Sequence, residues 1–284
     1  YDSYNSYYHC IKEMKIFKNK HNLQKKIYNI KNMSFVPTMG GLHKGHISLI
    51  KRSKKFKGPC LVSIFVNPKQ FNKKKDYISY PRNIKKDLKI LKDLNVEYVY
   101  IPTFKDVYSF RTKNKVYLDS FSKKLCGKFR KGHFEGVLNI VNRLLEIVKP
   151  KYIFLGIKDF QQLFLIDQHI KKRKIRTKVI QCKTMRENNG VACSTRNQNI
   201  NRDQLGIASN VYRYLKKQKL SINNKFKSFD YKTLLINLKN FGLKKIDYIE
   251  LYDLNNIKKV KKKNKKLKIF IAYYLNKTRL IDNI

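Results

Sequence analysis

The sequence has no tryptophan and only three alanines. Acidic residues are also scarce: 19 Asp and Glu stand against 65 Lys and Arg in 284 residues, leaving a net charge of +46. No apolar run approaches the roughly 18 residues that a membrane span needs. The longest, such as Cys60–Val66 and Ile269–Leu275, have the length of buried strands. Cysteine is sparse, five in all, odd in number and nowhere at CxxC spacing. This argues against a disulfide framework or a structural zinc site and fits a reducing cytoplasm. The opening YDSYNSYYHC lacks the apolar core of a signal peptide and the Arg-rich pattern of a transit peptide. Residues 1–12 are expected to be an extension.

What is present is a core. The chain is 42% hydrophobic, too apolar for a disordered basic tail. A basic surface suggests a polyanion partner, because Lys and Arg release counterions from phosphate backbones. However, Lys, Asn, Ile, Tyr and Phe, all residues of A/T-rich codons, make up about half the chain. The basic residues are also spread along it, as in Lys73–Lys75, Lys171–Lys174 and Lys258–Lys266. Compositional drift therefore explains most of the charge, and neither a specific nucleic-acid partner nor a membrane is expected.

Short apolar runs alternate with helical periodicity. Strands are expected at Lys15–Phe17, Ser34–Pro37, Leu61–Val66, Val96–Ile101, Tyr152–Leu155 and Lys178–Cys182. Helices are expected through Leu23, Ile27 and Ile30, at His46–Lys55, Asn83–Leu94, Phe134–Val148 and Asp159–Lys172. This is the pattern of a parallel sheet covered on both faces, an α/β fold. After about residue 183 the pattern changes to a helix near Leu205–Lys217 and strands at Lys244–Leu251 and Lys268–Leu275. Two domains are therefore expected, 1–182 and a smaller α+β unit at 183–284.

The most informative segment is FVPTMGGLHKGHISLIKRS, Phe35–Ser53. A buried strand runs into a glycine turn, and His43 and His46 follow at the start of a helix, one turn apart. Unpaired N–H groups at a helix start suit phosphate, and imidazoles can stabilise charge developing on it. This is neither a Walker A loop nor the Rossmann glycine fingerprint.

TMGGLHKGH resembles the TMGALHEGH segment of the pantoate–β-alanine ligase family. That family belongs to the HxGH nucleotidyltransferases, whose Rossmann-like fold is related to class I aminoacyl-tRNA synthetases. Five further segments are similar in order and spacing: VNPKQF, YPR with Asp87, FRKGHFEGV, GIKDFQQL and CSTRN. The matches run from about Phe35 to Ile200. Two departures stand out: Lys131 where Pro is common, and Ile157 where Glu is usual.

The resemblance implies ATP-dependent joining of pantoate to β-alanine through a pantoyl adenylate. ATP is expected against Met39, Gly40, Gly41, Leu42, His43, Lys44, Gly45 and His46. Gly156, Ile157, Lys158 and Asp159 are expected to form a second part of that site, and Met185, Cys193, Ser194, Thr195 and Arg196 a third. His46, His43, Lys158 and Arg196 carry the catalytic expectation. Gln70, Gln162, Asn67, Arg130 and His133 are expected around pantoate and β-alanine. Mg²⁺ is expected through the ATP phosphates, near Asp87, with no direct protein ligand assigned. The resemblance also implies a homodimer and a C-terminal domain that closes as a lid. Two alternatives stay open: another HxGH adenylyltransferase, and a basic nucleic-acid-binding protein with a decayed enzyme core.

Overall fold

A computed structural model describes residues 13–72, 74–224, 230–260 and 266–284. The N-terminal extension, Cys10, Lys73 and most of the Lys258–Lys266 run lie outside them.

Six parallel strands form the larger sheet: β1 (Lys15–Phe17), β2 (Ser34–Thr38), β3 (Cys60–Ile64), β4 (Tyr98–Tyr100), β5 (Tyr152–Gly156) and β6 (Lys178–Cys182). Their spatial order is β1-β4-β3-β2-β5-β6. The helices between them are α1 (Lys20–Ile27), α2 (Lys44–Ser53), α3 (Lys74–Ile78), α4 (Ile84–Asp93), α5 (Phe104–Tyr108), α6 (Cys126–Phe129), α7 (His133–Val148) and α8 (Phe160–Lys172). Strand residues alternate between two cores, as a period of two requires. Phe35, Leu61, Ile153 and Leu155 pack with Leu23 of α1, Leu138 of α7 and Ile166 of α8. Val36, Val62, Ile64 and Phe154 pack on the other side with Ile50 of α2 and Leu91 of α4. Burying side chains of this size contributes about 1.5–3 kcal/mol each. The expected helix through Ile30 stops at Ile27, and Ile30 closes a turn onto the Ile27 carbonyl.

The smaller unit comprises α9 (Arg202–Asn224), α10 (Tyr231–Asn240), β7 (Lys245–Asp253), β8 (Lys258–Lys259), β9 (Leu267–Leu275) and β10 (Thr278–Asn283). Its sheet is antiparallel, ordered β10-β9-β7-β8. One face, with Ile249, Ile269 and Leu280, packs on α9 and α10. The other, with Tyr248, Tyr252, Phe270 and Ala272, joins the main core of the large sheet. The two units therefore share one apolar seam.

The sheet reverses its winding between β2 and β5, which is where parallel sheets open a crevice at their carboxyl ends. Here the opening has a local cause. β2 pairs with β3 over five residues, but with β5 only at Ser34↔Tyr152 and Phe35↔Ile153. Ser34 N–H donates to Pro59, and the Thr38 carbonyl accepts from Phe65, so the even residues of β2 face β3. Pro37 therefore faces β5, and without an N–H it cannot extend that ladder. Beyond the last pair the strands part, and Pro37, Thr38, Leu155 and Gly156 line the cavity that opens there.

Candidate active site

The cavity holds about 270 Å³ and runs from the β2–β5 split to the smaller sheet. The glycine turn after β2 forms its first wall. Gly41 has φ +62°, and an added Cβ would lie 2.7 Å from the Thr195 methyl. The turn's donors are directed inward. Gly40 N–H reaches the Thr38 hydroxyl (3.2 Å), Gly41 N–H reaches Asp87 Oδ2 (2.9 Å), and Leu42 N–H reaches Asp87 Oδ1 (2.8 Å). Asp87 thus holds two of the turn's three N–H groups, and the Leu42 side chain packs in the core. Both Asp87 oxygens accept from backbone, and the residue is only 2% exposed.

His43 caps α2. Its Nδ1 accepts the Gly45 N–H at 3.1 Å, which leaves the proton on Nε2. The ring lies so close to Gly45 that a Cβ there would meet it at 2.7 Å, so the glycine between the histidines admits the imidazole. His46 stacks 4.1 Å away, centroid to centroid. Its Nδ1 is buried with no partner among the described residues. Burial, with Lys158 nearby, lowers His43 to about 4. Burial, then His43 and Lys158, lowers His46 to about 3. Both rings are therefore neutral at pH 7 and act as hydrogen-bonding groups. Lys44, expected at ATP, turns away to Glu187 at 2.8 Å and does not line the cavity.

The second wall follows β5. Gly156 has open space where a Cβ would be. One 3-10 turn, Ile157–Asp159, carries Lys158 into the cavity and leads into α8. Asp159 occupies the cap position of α8 but makes no capping bond; its carboxylate lies 3.7 Å from Lys158 Nζ. The Ile157 side chain packs on the core and does not line the cavity. Gln162, one turn into α8, lines the cavity, while its neighbour Gln161 is spent holding the Cys126 N–H and the Phe121 and Lys124 carbonyls.

Gln70 follows β3 and donates to Met39 Sδ at 2.7 Å. Arg130 donates to His133 Nε2 (2.8 Å), so His133 donates through Nδ1 to the Gln70 carbonyl (2.8 Å). Burial and Arg130 lower His133 to about 3, and burial with Arg196 lowers Arg130 to about 10. The pair thus props the Gln70 turn and keeps one positive charge. Asn67, expected at the substrate, is not in the cavity. It accepts from Lys69 N–H and Tyr108 hydroxyl and donates to the Gly136 carbonyl.

The loop after β6 closes the third side with Met185, Cys193, Ser194, Thr195 and Arg196. Thr195 donates to the Gly41 carbonyl (3.3 Å) and joins this loop to the glycine turn. The Cys193 thiol donates to Glu187, and burial beside that carboxylate raises it to about 11. Tyr248, Arg279 and Asn283 of the smaller sheet complete the lining, and sequence reasoning missed them. A signal existed. In β10 the odd residues Arg279, Ile281 and Asn283 alternate with Leu280 and Asp282, and Arg279 is one of only 12 arginines beside 53 lysines.

His43, His46, Lys158 and Arg196, four groups able to receive a polyphosphate, thus line one cavity together with Gln70 and Gln162. The model of one family, pantoate–β-alanine ligase, matches residues 9–284. The chain belongs to the pantoate–β-alanine ligase family. The pantothenate synthetase of Endomicrobium trichonymphae is 39% identical over 275 residues, covering 95% of this chain and 97% of its own. That of Flavobacterium psychrophilum is 40% identical over 258 residues, 89% of this chain and 92% of its own. Among solved structures, the ligase of Francisella tularensis complexed with β,γ-ATP and β-alanine has a TM-score of 0.79 at 36% identity, covering 96% of this chain and 97% of its own. Pantothenate synthetase of Thermus thermophilus reaches 0.86 at 27% identity, covering 95% and 99%. As a member of this family the chain is an enzyme, a ligase that joins pantoate to β-alanine with ATP.

Proposed function

We propose that the reaction runs through pantoyl adenylate, in the cavity at the β2–β5 split. The observation that carries this reading is the convergence of two neutral imidazoles, Lys158, Arg196 and two glutamines on one cavity. ATP occupies it against the imidazoles, Lys158 and Arg196, and pantoate against the glutamines. A pantoate carboxylate oxygen attacks the α-phosphorus. The bond from that phosphorus to the bridging oxygen breaks, and its electrons leave with pyrophosphate. The β-alanine amine then attacks the acyl carbon, the C–O bond to AMP breaks, and the amide forms.

The chain need supply no covalent nucleophile. Its contribution is position and charge. Lys158 and Arg196 neutralise charge at the phosphates. His43 donates through Nε2, and His46 offers its unspent ring. A neutral imidazole is a hydrogen-bond donor here, so the catalytic role of His46 is proposed as hydrogen-bond donation to the phosphates. Gln70 and Gln162 orient pantoate, with Arg130 held beside Gln70.

Among the described residues no cluster of three His, Cys, Asp or Glu side chains can hold a metal, and Asp87 is spent on the glycine turn. Mg²⁺ would enter on the ATP phosphates, and no step is routed through it. A homodimer and a cytoplasmic location are proposed on the family resemblance alone.

The test is to omit β-alanine. With ATP and pantoate, pantoyl adenylate should accumulate on the enzyme and be seen by mass spectrometry after acid quench. Adding β-alanine should convert it to pantothenate and AMP. AMP and pantothenate forming with no detectable adenylate, even under single turnover, would count against the intermediate.

A further inference from the structure

We propose that Asn283, in the last strand of the smaller sheet, is a positioning residue for the loop that carries Lys158. The inference rests on the phosphate role of Lys158 proposed above. The Asn283 amide nitrogen donates both its hydrogens across the domain seam, to the Ile157 carbonyl at 2.9 Å and the Lys158 carbonyl at 2.7 Å. Its oxygen accepts from Lys268 Nζ at 2.8 Å. Asn283 is 4% exposed, so water is a poor substitute for these bonds.

The loop's other restraints are the Gly156↔Cys182 pairing of β5 with β6 and the packing of Ile157 on the core; the cap position of α8 makes no side-chain bond. The strand that holds Asn283 is anchored in turn. Arg186, in the loop after β6, forms a two-pronged pair with Asp282 (2.7 and 3.0 Å) and stacks 4.0 Å from the Tyr212 ring. The loop after β6, the end of β10 and the Lys158 turn are therefore one connected unit. Moving the smaller sheet away breaks both bonds from Asn283 and frees Lys158. Lys158 is placed only when the smaller sheet is docked, and this ties phosphate binding to closure.

Lys268 gives the arrangement a pH readout. Burial, together with Lys219 and Arg186 and opposed by Asp282, lowers Lys268 to about 8. Below that pH it is charged and polarises the Asn283 amide; above it that assistance weakens.

The test separates the two half-reactions. Asn283→Ala should raise the ATP KM at least tenfold and slow pantoate-dependent pyrophosphate exchange. It should leave AMP release from supplied pantoyl adenylate and β-alanine unchanged, because Lys158 acts only at the departing phosphates. Lys268→Met, which preserves the strand, should show a smaller rise of the same kind and remove the rise in ATP KM through pH 8 that is expected in the parent. It serves as the reading if Asn283→Ala folds poorly. Lys158→Ala is the control. If it raises the ATP KM while Asn283→Ala and Lys268→Met change it less than twofold, the positioning role is wrong and the phosphate role stands. Equal loss of both half-reactions in the two variants also overturns positioning. If Lys158→Ala leaves the ATP KM unchanged, both readings fail.

Discussion

Two strand–turn–helix units meet at the cavity, and they are held in different ways. The β2–α2 turn is secured from within its own domain. Asp87 accepts two of its N–H groups, Thr38 a third, and His43 caps its helix. The β5–α8 turn lacks such a clasp and is held from across the seam by Asn283. On the positioning role proposed for Asn283, the second unit depends on the smaller sheet, whereas the clasp of the first lies within the large sheet's own domain.

The largest effect that can break this contrast is at Asp87. Asp87→Ala strands two buried N–H groups, at about 1–3 kcal/mol each. Urea denaturation should show the loss in the folding of the large domain, and turnover should fall with it. If stability and activity both survive, the turn is not held as described.

A smaller effect separates residues spent inside the fold from residues left open. Asn67→Ala should lower stability by about 1–3 kcal/mol and leave pantoate KM unchanged. Gln70→Ala should raise pantoate KM roughly tenfold, the worth of one or two hydrogen bonds, with little change in melting. Steady-state kinetics beside thermal melts would show the crossover, and matching behaviour of the two variants would erase the distinction.

The smallest is a pH effect on the first unit. His43 and His46 are held neutral at about 4 and about 3, whereas the unfolded chain takes up protons near 6.5. Between those values the unfolded state binds more protons, so stability is full above about 6.5 and declines as pH falls toward 4. Urea midpoints at pH 7 and pH 5 should differ in that direction, and His43→Gln should reduce the difference. A midpoint independent of pH would mean that the rings are not desolvated.

Much of this contrast was legible beforehand, and the reasons differ by region. Buried parallel strands read as continuous apolar runs, so β3 and β5 stood out, and the His–x–Gly–His segment stood out because few histidines occur. Three things were hidden. Backbone donors of a glycine turn look free in a sequence, and only the fold brings Asp87 to Gly41 and Leu42. Polar residues in a turn look alike, so nothing local separates Asn67, spent on Tyr108 and Gly136, from Gln70 facing the cavity. Finally, Arg279 and Asn283 reach the site from more than 100 residues beyond Lys158 in the chain, which local pattern does not register. The charge of +46 looks different as well: the site uses few basic side chains, and Lys158, Arg196 and Arg130 already suffice for its anions.

The most direct measurement is isotope exchange between pyrophosphate and ATP in the absence of β-alanine. The account predicts exchange that requires pantoate, is not supported by amino acids or phosphopantetheine, and falls by about 10²–10³ in His46→Ala. Exchange without pantoate, or none with it while AMP still forms from the three substrates, would contradict an adenylate formed at this cavity.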